Sequence, residues 1–229
     1  MESATARDSK PVNRQGIDYK KYEDNFIHAL LSMNKSRAEQ ILRELAKKEK
    51  LLYICDNFIT PAFERIGKNW ECGITPLSQL YIGSHICNAI LDNMLVNETL
   101  PKKKQPNLAI ATLGDFHTLG KKIVIYALKT AGYKVIDFGY GLLIHDIVEK
   151  CKQKETEILL ISSLMDSSAL LTKQLIEALE DEGLHIKVVA GGAPFCKDKN
   201  LWKEVGAHAM GHNASDALGI IKRFEEELC

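Results

Sequence analysis

The chain has no Cys-x-x-Cys pair, although it contains six cysteines: Cys55, Cys72, Cys87, Cys151, Cys196 and Cys229. Their wide spacing excludes the usual structural zinc site and the redox dithiol, and they read as reduced thiols of a cytoplasmic protein. Net charge is also missing, because 30 basic side chains balance 30 acidic ones. No overall field therefore steers the protein towards nucleic acid, a membrane surface or a polyanion, and a neutral cofactor or a protein partner fits better. No apolar run approaches the roughly 20 residues of a membrane span. The polar start MESATARDSK lacks the apolar stretch of a signal peptide.

What is present is enough chain, at 229 residues, for one large domain or two small ones with real cores. Residues 1–16 are polar and bury almost nothing, which predicts a disordered tail. Residues 17–97 read as a helical domain. Tyr22, Phe26, Ala29, Leu30 and Met33 recur at three- and four-residue steps from Tyr19. Ser36 with Glu39 suggests a capping box for a second helix. A third helical period runs from Leu51 to Trp70, with Pro61 expected to kink or break it. Thr75 followed by Pro76 predicts the start of a fourth helix, reaching about Leu95. The stretch ETLPKKKQPN, residues 98–107, has linker composition.

From residue 108 to 229 the pattern changes to short apolar strands (LAIATL, KVIDFG, EILLISSL, KVVAGG, AHAMG) alternating with amphipathic helices. Strand-helix-strand units with short loops require parallel pairing. The expected fold class is therefore α/β: a helical cap followed by a doubly wound, flavodoxin-like sheet of five parallel strands. Ligands bind such sheets outside the carboxyl ends of the strands, here after Leu113, Phe138, Ser163, Ala190 and Met210.

The loop after the first strand reads Gly114-Asp115-Phe116-His117-Thr118-Leu119-Gly120, the third strand ends in Ser162-Ser163-Leu164, and the fourth in Gly191-Gly192-Ala193. An imidazole, a carboxylate, a hydroxyl and a glycine pair thus meet on one sheet edge. A neutral imidazole is a common metal ligand whose other ring nitrogen usually donates to a carboxylate. Asp115 suits that role for His117, and Ser162 is expected to hydrogen-bond Asp115. Glycines let a bulky ligand lie directly on the backbone. A lone Asp-x-His-x-x-Gly pattern is only moderately specific; its place at the first strand end gives it weight. His28, His85, His145, His185 and His208 read as structural or surface histidines, while His212 follows the fifth strand and could lie near the ligand.

The run GDFHTLGKKIVIYALKTAGYKVIDFG, with the later SSL and AGGAPF, resembles the cobalamin-binding module of cobalamin-dependent methionine synthase, of methyltransferase corrinoid proteins and of several mutases. The earlier ITPAFERIGKNWECGITPLSQLYIGSHI resembles the four-helix cap of the methyltransferase type. The resemblance implies that His117 is the lower axial ligand of the cobalt, replacing the cofactor's own base (base-off/His-on), with Asp115 and Ser162 as a proton relay. It places Phe116, Thr118, Leu119, Gly120, Leu164, Gly191, Gly192 and Ala193 at the cofactor, and the cap, with Trp70 as the residue to watch, over the upper face. Met165-Asp166 depart from the uncharged residues common after this Ser-x-Leu motif. In cobalamin light sensors the cap tryptophan is followed ten residues on by Glu-His; here Leu80-Tyr81 stand at that spacing.

The implied activity is methyl carriage between methyl-Co(III) and Co(I). The implied partners are a substrate-specific methyltransferase, an acceptor methyltransferase using tetrahydrofolate or a thiol, and a reductive activase. On this reading the protein is the cofactor-carrying subunit of an O-demethylase or methylamine type of system. Two other readings stand beside it: a cobalamin sensor or storage protein, and a flavodoxin-like or receiver-like domain without corrinoid.

Overall fold

The computed structural model describes residues 19–94 and 105–228. The expected tail and most of the expected linker lie outside them, but Gln105, Pro106 and Asn107 are described and are docked. The Asn107 amide donates to Glu157 Oε2 at 2.8 Å, and Gln105 Oε1 accepts from the Lys134 amide at 2.7 Å.

The N-terminal part is helical: α1 (Tyr19–Leu31), α2 (Lys35–Ala46), α3 (Leu51–Ile54), a π turn (Cys55–Ile59), α4 (Thr60–Glu71) and α5 (Leu77–Met94). Helix α1 ends where Met33 turns left-handed (φ 57°) and exposed, so Met33 is not part of the apolar stripe expected of it. The cap of α2 is Asn34 rather than Ser36: its Oδ1 accepts from the Arg37 amide at 3.0 Å. Pro61 does not break the third helix. The Thr60 amide reaches back five residues to Cys55 O, and this widened turn leaves Pro61, which has no N–H, in the first turn of α4. Helix α5 begins at Leu77, one residue later than Pro76 suggested, with the Pro76 carbonyl accepting from Gln79.

The rest alternates β1 (Leu108–Leu113), α6 (Leu119–Thr130), β2 (Val135–Leu142), α7 (Ile144–Gln153), β3 (Ile158–Ser162), α8 (Asp166–Asp181), β4 (Lys187–Gly191), α9 (Ala193–Lys197), α10 (Leu201–Glu204), β5 (Ala209–Gly211) and α11 (Ala214–Leu228). All pairings are parallel, in the order β2-β1-β3-β4-β5. Strand β1 is buried along its whole length, as the unbroken apolar run LAIATL requires of a strand covered on both faces. Its Ala109, Ala111 and Leu113 meet α7, α8 and α9, while Leu108 and Ile110 meet α6 and α11.

Strand β2 runs past its expected end to Leu142, so the following loop starts at Leu143 rather than after Phe138. Its pairing with β1 slips twice, between Ile110 and Ala111 and again between Ala111 and Leu113. Gly139 (φ 111°) and Gly141 (φ 64°) permit these bulges. The sequence reading missed the short helix α9. The cap core is continuous with Leu119, Ile123 and Ala127 of α6, so the helical layer rests on the α6 face of the sheet domain.

Candidate functional site

Strand order reverses between β1 and β3, and the loops after these two strands flank the switch point. Asp115 joins them. Its Oδ1 accepts from the His117 amide at 3.0 Å and from His117 Nδ1 at 2.6 Å; its Oδ2 accepts from the amides of Leu164 at 2.8 Å and Met165 at 3.2 Å. Burial alone would raise its pKa, but the hydrogen bonds from His117 and Leu164 outweigh that and hold it down to about 2. An ionised carboxylate can only accept, so the Nδ1 of His117 carries a proton, and in the neutral imidazole the lone pair is then on Nε2. His117 Nε2 is buried and makes no hydrogen bond.

The expected Ser162–Asp115 hydrogen bond is replaced by this arrangement, since the carboxylate is filled by His117 and two backbone amides. Ser162 Oγ faces Gly120 instead, 3.4 Å from where a Cβ on that glycine would lie. Met165, which looked like a departure from the motif, contributes only its backbone here. Asp166, the charged half of that departure, lines the cavity beside His117.

A cavity of about 620 Å³ opens beside His117. Leu119, Gly120, Ser162, Leu164, Gly191, Gly192 and Ala193 line it from the sheet domain; Trp70 does so from the cap, while also packing against the cap core. Phe116 and Thr118 lie outside this wall. Phe116 is 60% exposed, and Thr118 precedes α6 with its Oγ1 accepting from Asn88 Nδ2 of α5 at 3.1 Å. His212 does line the cavity. His208 is structural, its Nδ1 accepting from the Val188 amide at 3.1 Å.

The inner walls are apolar: Ile110, Leu160 and Val189 from one face of the sheet, Ile123 and Val124 from α6. Gly192 (φ 112°) stands where any Cβ would collide with the Ser163 carbonyl oxygen. The cap adds Phe63, Gly67 and Trp70, spaced four and three residues apart on one stripe of α4. That stripe was visible in the sequence, but only its tryptophan was singled out. Tyr81 of α5 was noted only for its spacing from Trp70 and given no role. Its ring stands at 86° to the His117 imidazole with centroids 6.2 Å apart, and leans on His85 at 4.3 Å.

An imidazole locked in one tautomer with a bare Nε2, beside a deep apolar slot floored by glycine, is the donor set for a metal that brings its own ring of ligands and a bulky appendage. Among the described residues no group of three or more His, Cys, Asp or Glu side chains is placed to hold a bare ion. These features fit a cobalt corrinoid: a single nitrogen that the protein can offer to a metal, and an apolar cavity beside it.

Comparison with known proteins agrees. A family model described as a B12 binding domain matches residues 108–221, and a second with the same description matches residues 22–94. The dimethylamine corrinoid protein 3 of Methanosarcina acetivorans is 38% identical over 211 residues, covering 81% of this chain and 97% of the relative. The trimethylamine corrinoid protein 1 of Methanosarcina mazei is 28% identical, covering 81% and 88%. The solved Methanosarcina barkeri monomethylamine corrinoid protein superposes with a TM-score of 0.72 at 27% identity, covering 88% of this chain and 97% of that one. The chain belongs to the cobalamin-binding corrinoid proteins of methyltransferase systems, and its cofactor is a cobalamin. No helix among the described residues is long and apolar enough to cross a membrane.

Proposed function

We propose that the protein carries methyl groups on its corrinoid between a methyltransferase that demethylates a methylated amine and a second that serves the acceptor, with a reductive activase restoring lost reducing equivalents. The observation that carries the site assignment is the bare, buried Nε2 of His117, held in the right tautomer by Asp115. A bound corrinoid supplies a cobalt centre able to accept and release a methyl group.

The chain's own residues position and tune. His117 offers Nε2 in place of the cofactor's base, giving the base-off/His-on form. Asp115 keeps the proton on Nδ1 and raises the basicity of the opposite nitrogen. Gly120, Gly191 and Gly192 leave room for the cofactor's nucleotide tail, and the Ser162 hydroxyl faces Gly120 on the cavity wall. The cap, through Phe63, Trp70 and Tyr81, keeps water from the site. The amine donor class rests on the names of the relatives. A sensor role is not favoured, because these relatives are methylamine corrinoid proteins.

The test is anaerobic reconstitution with methylcobalamin, comparing wild type with His117→Ala. We expect a nitrogen-ligated spectrum in wild type and a base-off spectrum in the variant; no retained corrinoid in either would overturn the assignment. Loaded protein is then mixed with mono-, di- and trimethylamine methyltransferases. Turnover with none of them removes the amine reading and leaves the corrinoid site intact.

A further inference from the structure

Lys121 is a buried cation that does not line the cavity. It stands in the first turn of α6, one helical turn beyond His117, and is only 3% exposed. An ammonium is disfavoured there twice, by the loss of water and by the positive end of the helix dipole. A knot with strand β2 offsets both. The Nζ donates to Asp137 Oδ1 at 2.7 Å and to Gly139 O at 2.8 Å, and the same Asp137 oxygen accepts the Gly139 amide at 2.8 Å. The Asp137 side chain is 45% exposed, so the pair is not there to neutralise a buried acid.

The knot closes on one irregularity of the sheet. Ile110 pairs with Asp137 and the next residue, Ala111, with Gly139, which leaves Phe138 as the extra residue of a bulge. Lys121 holds the residues on either side of it. Beyond the bulge β2 runs on past the end of β1 and pairs with the histidine loop. The Gly114 amide donates to Leu142 O at 2.9 Å, and the Gly141 amide to Asp115 O at 2.7 Å. One residue of register is about 3.3 Å along a strand. Without the bulge a different residue of β2 would face the Asp115 carbonyl, whereas the 2.6 Å contact between Asp115 Oδ1 and His117 Nδ1 survives a displacement of only about 0.5 Å.

We propose that Lys121 is a positioning residue for the axial ligand: by clamping the β2 bulge it sets the register that holds the Asp115 backbone, and through Asp115 the tautomer and aim of His117. The inference rests on the corrinoid reading for what His117 ligates, while the clamp itself acts in the empty protein as well.

The experiment compares wild type, Lys121→Met, Asp137→Ala and, as a stability control in the core on the β5 side of the sheet, Val205→Ala. Without cofactor, nitrogen NMR of the histidine side chains reads the His117 tautomer; after loading with methylcobalamin, the visible spectrum reads the fraction with histidine on cobalt. Lys121→Met keeps the length of the stem and removes the ammonium. It should show both tautomers of His117 where wild type shows the Nδ1-protonated one, and hold the histidine on cobalt about three- to tenfold more weakly. Asp137→Ala, a truncation at a half-exposed position, should move both readouts in the same direction. Val205→Ala should lower the melting temperature and move neither. Unchanged tautomer and ligation in Lys121→Met and Asp137→Ala, whatever their melting temperatures, overturn the proposal, and so does a Val205→Ala that moves both readouts as far. Should Lys121→Met fail to fold, Asp137→Ala decides alone. Wild type that takes up no corrinoid overturns the corrinoid reading and this inference with it, whereas wild type that loads normally beside unchanged variants overturns this inference alone.

Discussion

Asp56, in the π turn of the cap, accepts the Ser215 hydroxyl at 2.6 Å across the boundary between the two halves of the molecule. The same carboxylate accepts the amides of Ala214 at 3.2 Å and Ser215 at 3.3 Å, so a cap residue supplies the first turn of α11 with acceptors. Asn213 Oδ1 takes the Asp216 amide at 2.8 Å. Asp56→Ala should therefore cost about 1–2 kcal/mol by the usual loss of a helix cap, read by urea unfolding. It should also raise hydrogen exchange in α4, because a clasp between cap and sheet domain is lost. Unchanged exchange there would mean that the other cap contacts hold it alone.

Acid should weaken the His117 loop in a defined window. The folded-state pKa of Asp115 is depressed to about 2, below the unfolded value of about 3.9. Its contribution is therefore complete above about pH 4 and is lost as the pH falls towards 2, and it amounts to about 2–3 kcal/mol. Unfolding free energies of wild type and Asp115→Asn should differ most near neutrality and converge in strong acid. A gap independent of pH would exclude the carboxylate charge as its source.

Two glycines of the slot should fail in different ways. Gly192→Ala meets both a positive φ and the Ser163 carbonyl, so the protein itself should be destabilised by about 3 kcal/mol or more. Gly120→Val has its first carbon in ordinary contact with Ser162 Oγ, and the added methyls enter the slot. That variant should fold with a normal melting profile and lose corrinoid uptake. Equal uptake by Gly120→Val and wild type would place the nucleotide tail elsewhere.

Thiol chemistry should separate an exposed cysteine from three buried ones. Burial, followed by the nearby Asp56 charge, pushes Cys55 up to about 12; burial pushes Cys151 up to about 11 and Cys87 upward as well. Cys72 is exposed. Brief iodoacetamide treatment of native protein at neutral pH should therefore label Cys72 well before Cys55, Cys87 or Cys151, as peptide mapping would show. Early labelling of Cys87 would mean that the cap opens readily.

The sheet was legible because its evidence is local. Leu108–Leu113 reads as a strand from a continuous apolar run, and short helices between such runs leave little freedom in pairing. The end of β2 was misread because Gly139 and Gly141, residues that usually stop strands, here sit in bulges that prolong one. Asn34 lost to Ser36 in the reading because both are good caps and only the path of the chain decides between them. At the site, Asp115 and His117 were legible from spacing and position. The partners of Asp115 Oδ2 were not: they are backbone amides of Leu164 and Met165, which any residue but proline provides, so they leave no mark in the sequence. Ser162 drew attention by its hydroxyl alone. Tyr81 meets His117 only through the packing of α5 on the sheet domain, a relationship no local pattern encodes.

The π turn at Cys55–Ile59 sets the angular phase of everything in α4. Such a turn amounts to one residue inserted into a regular helix, and each residue of an α-helix advances it by about 100°. Shortening the segment by a single residue would restore regular winding and swing Phe63, Gly67 and Trp70 round by more than a quarter of a revolution, away from the cavity. The cap's ability to present an aromatic wall to the cavity is thus a matter of counting: the wall exists because the helix before it is one residue too long.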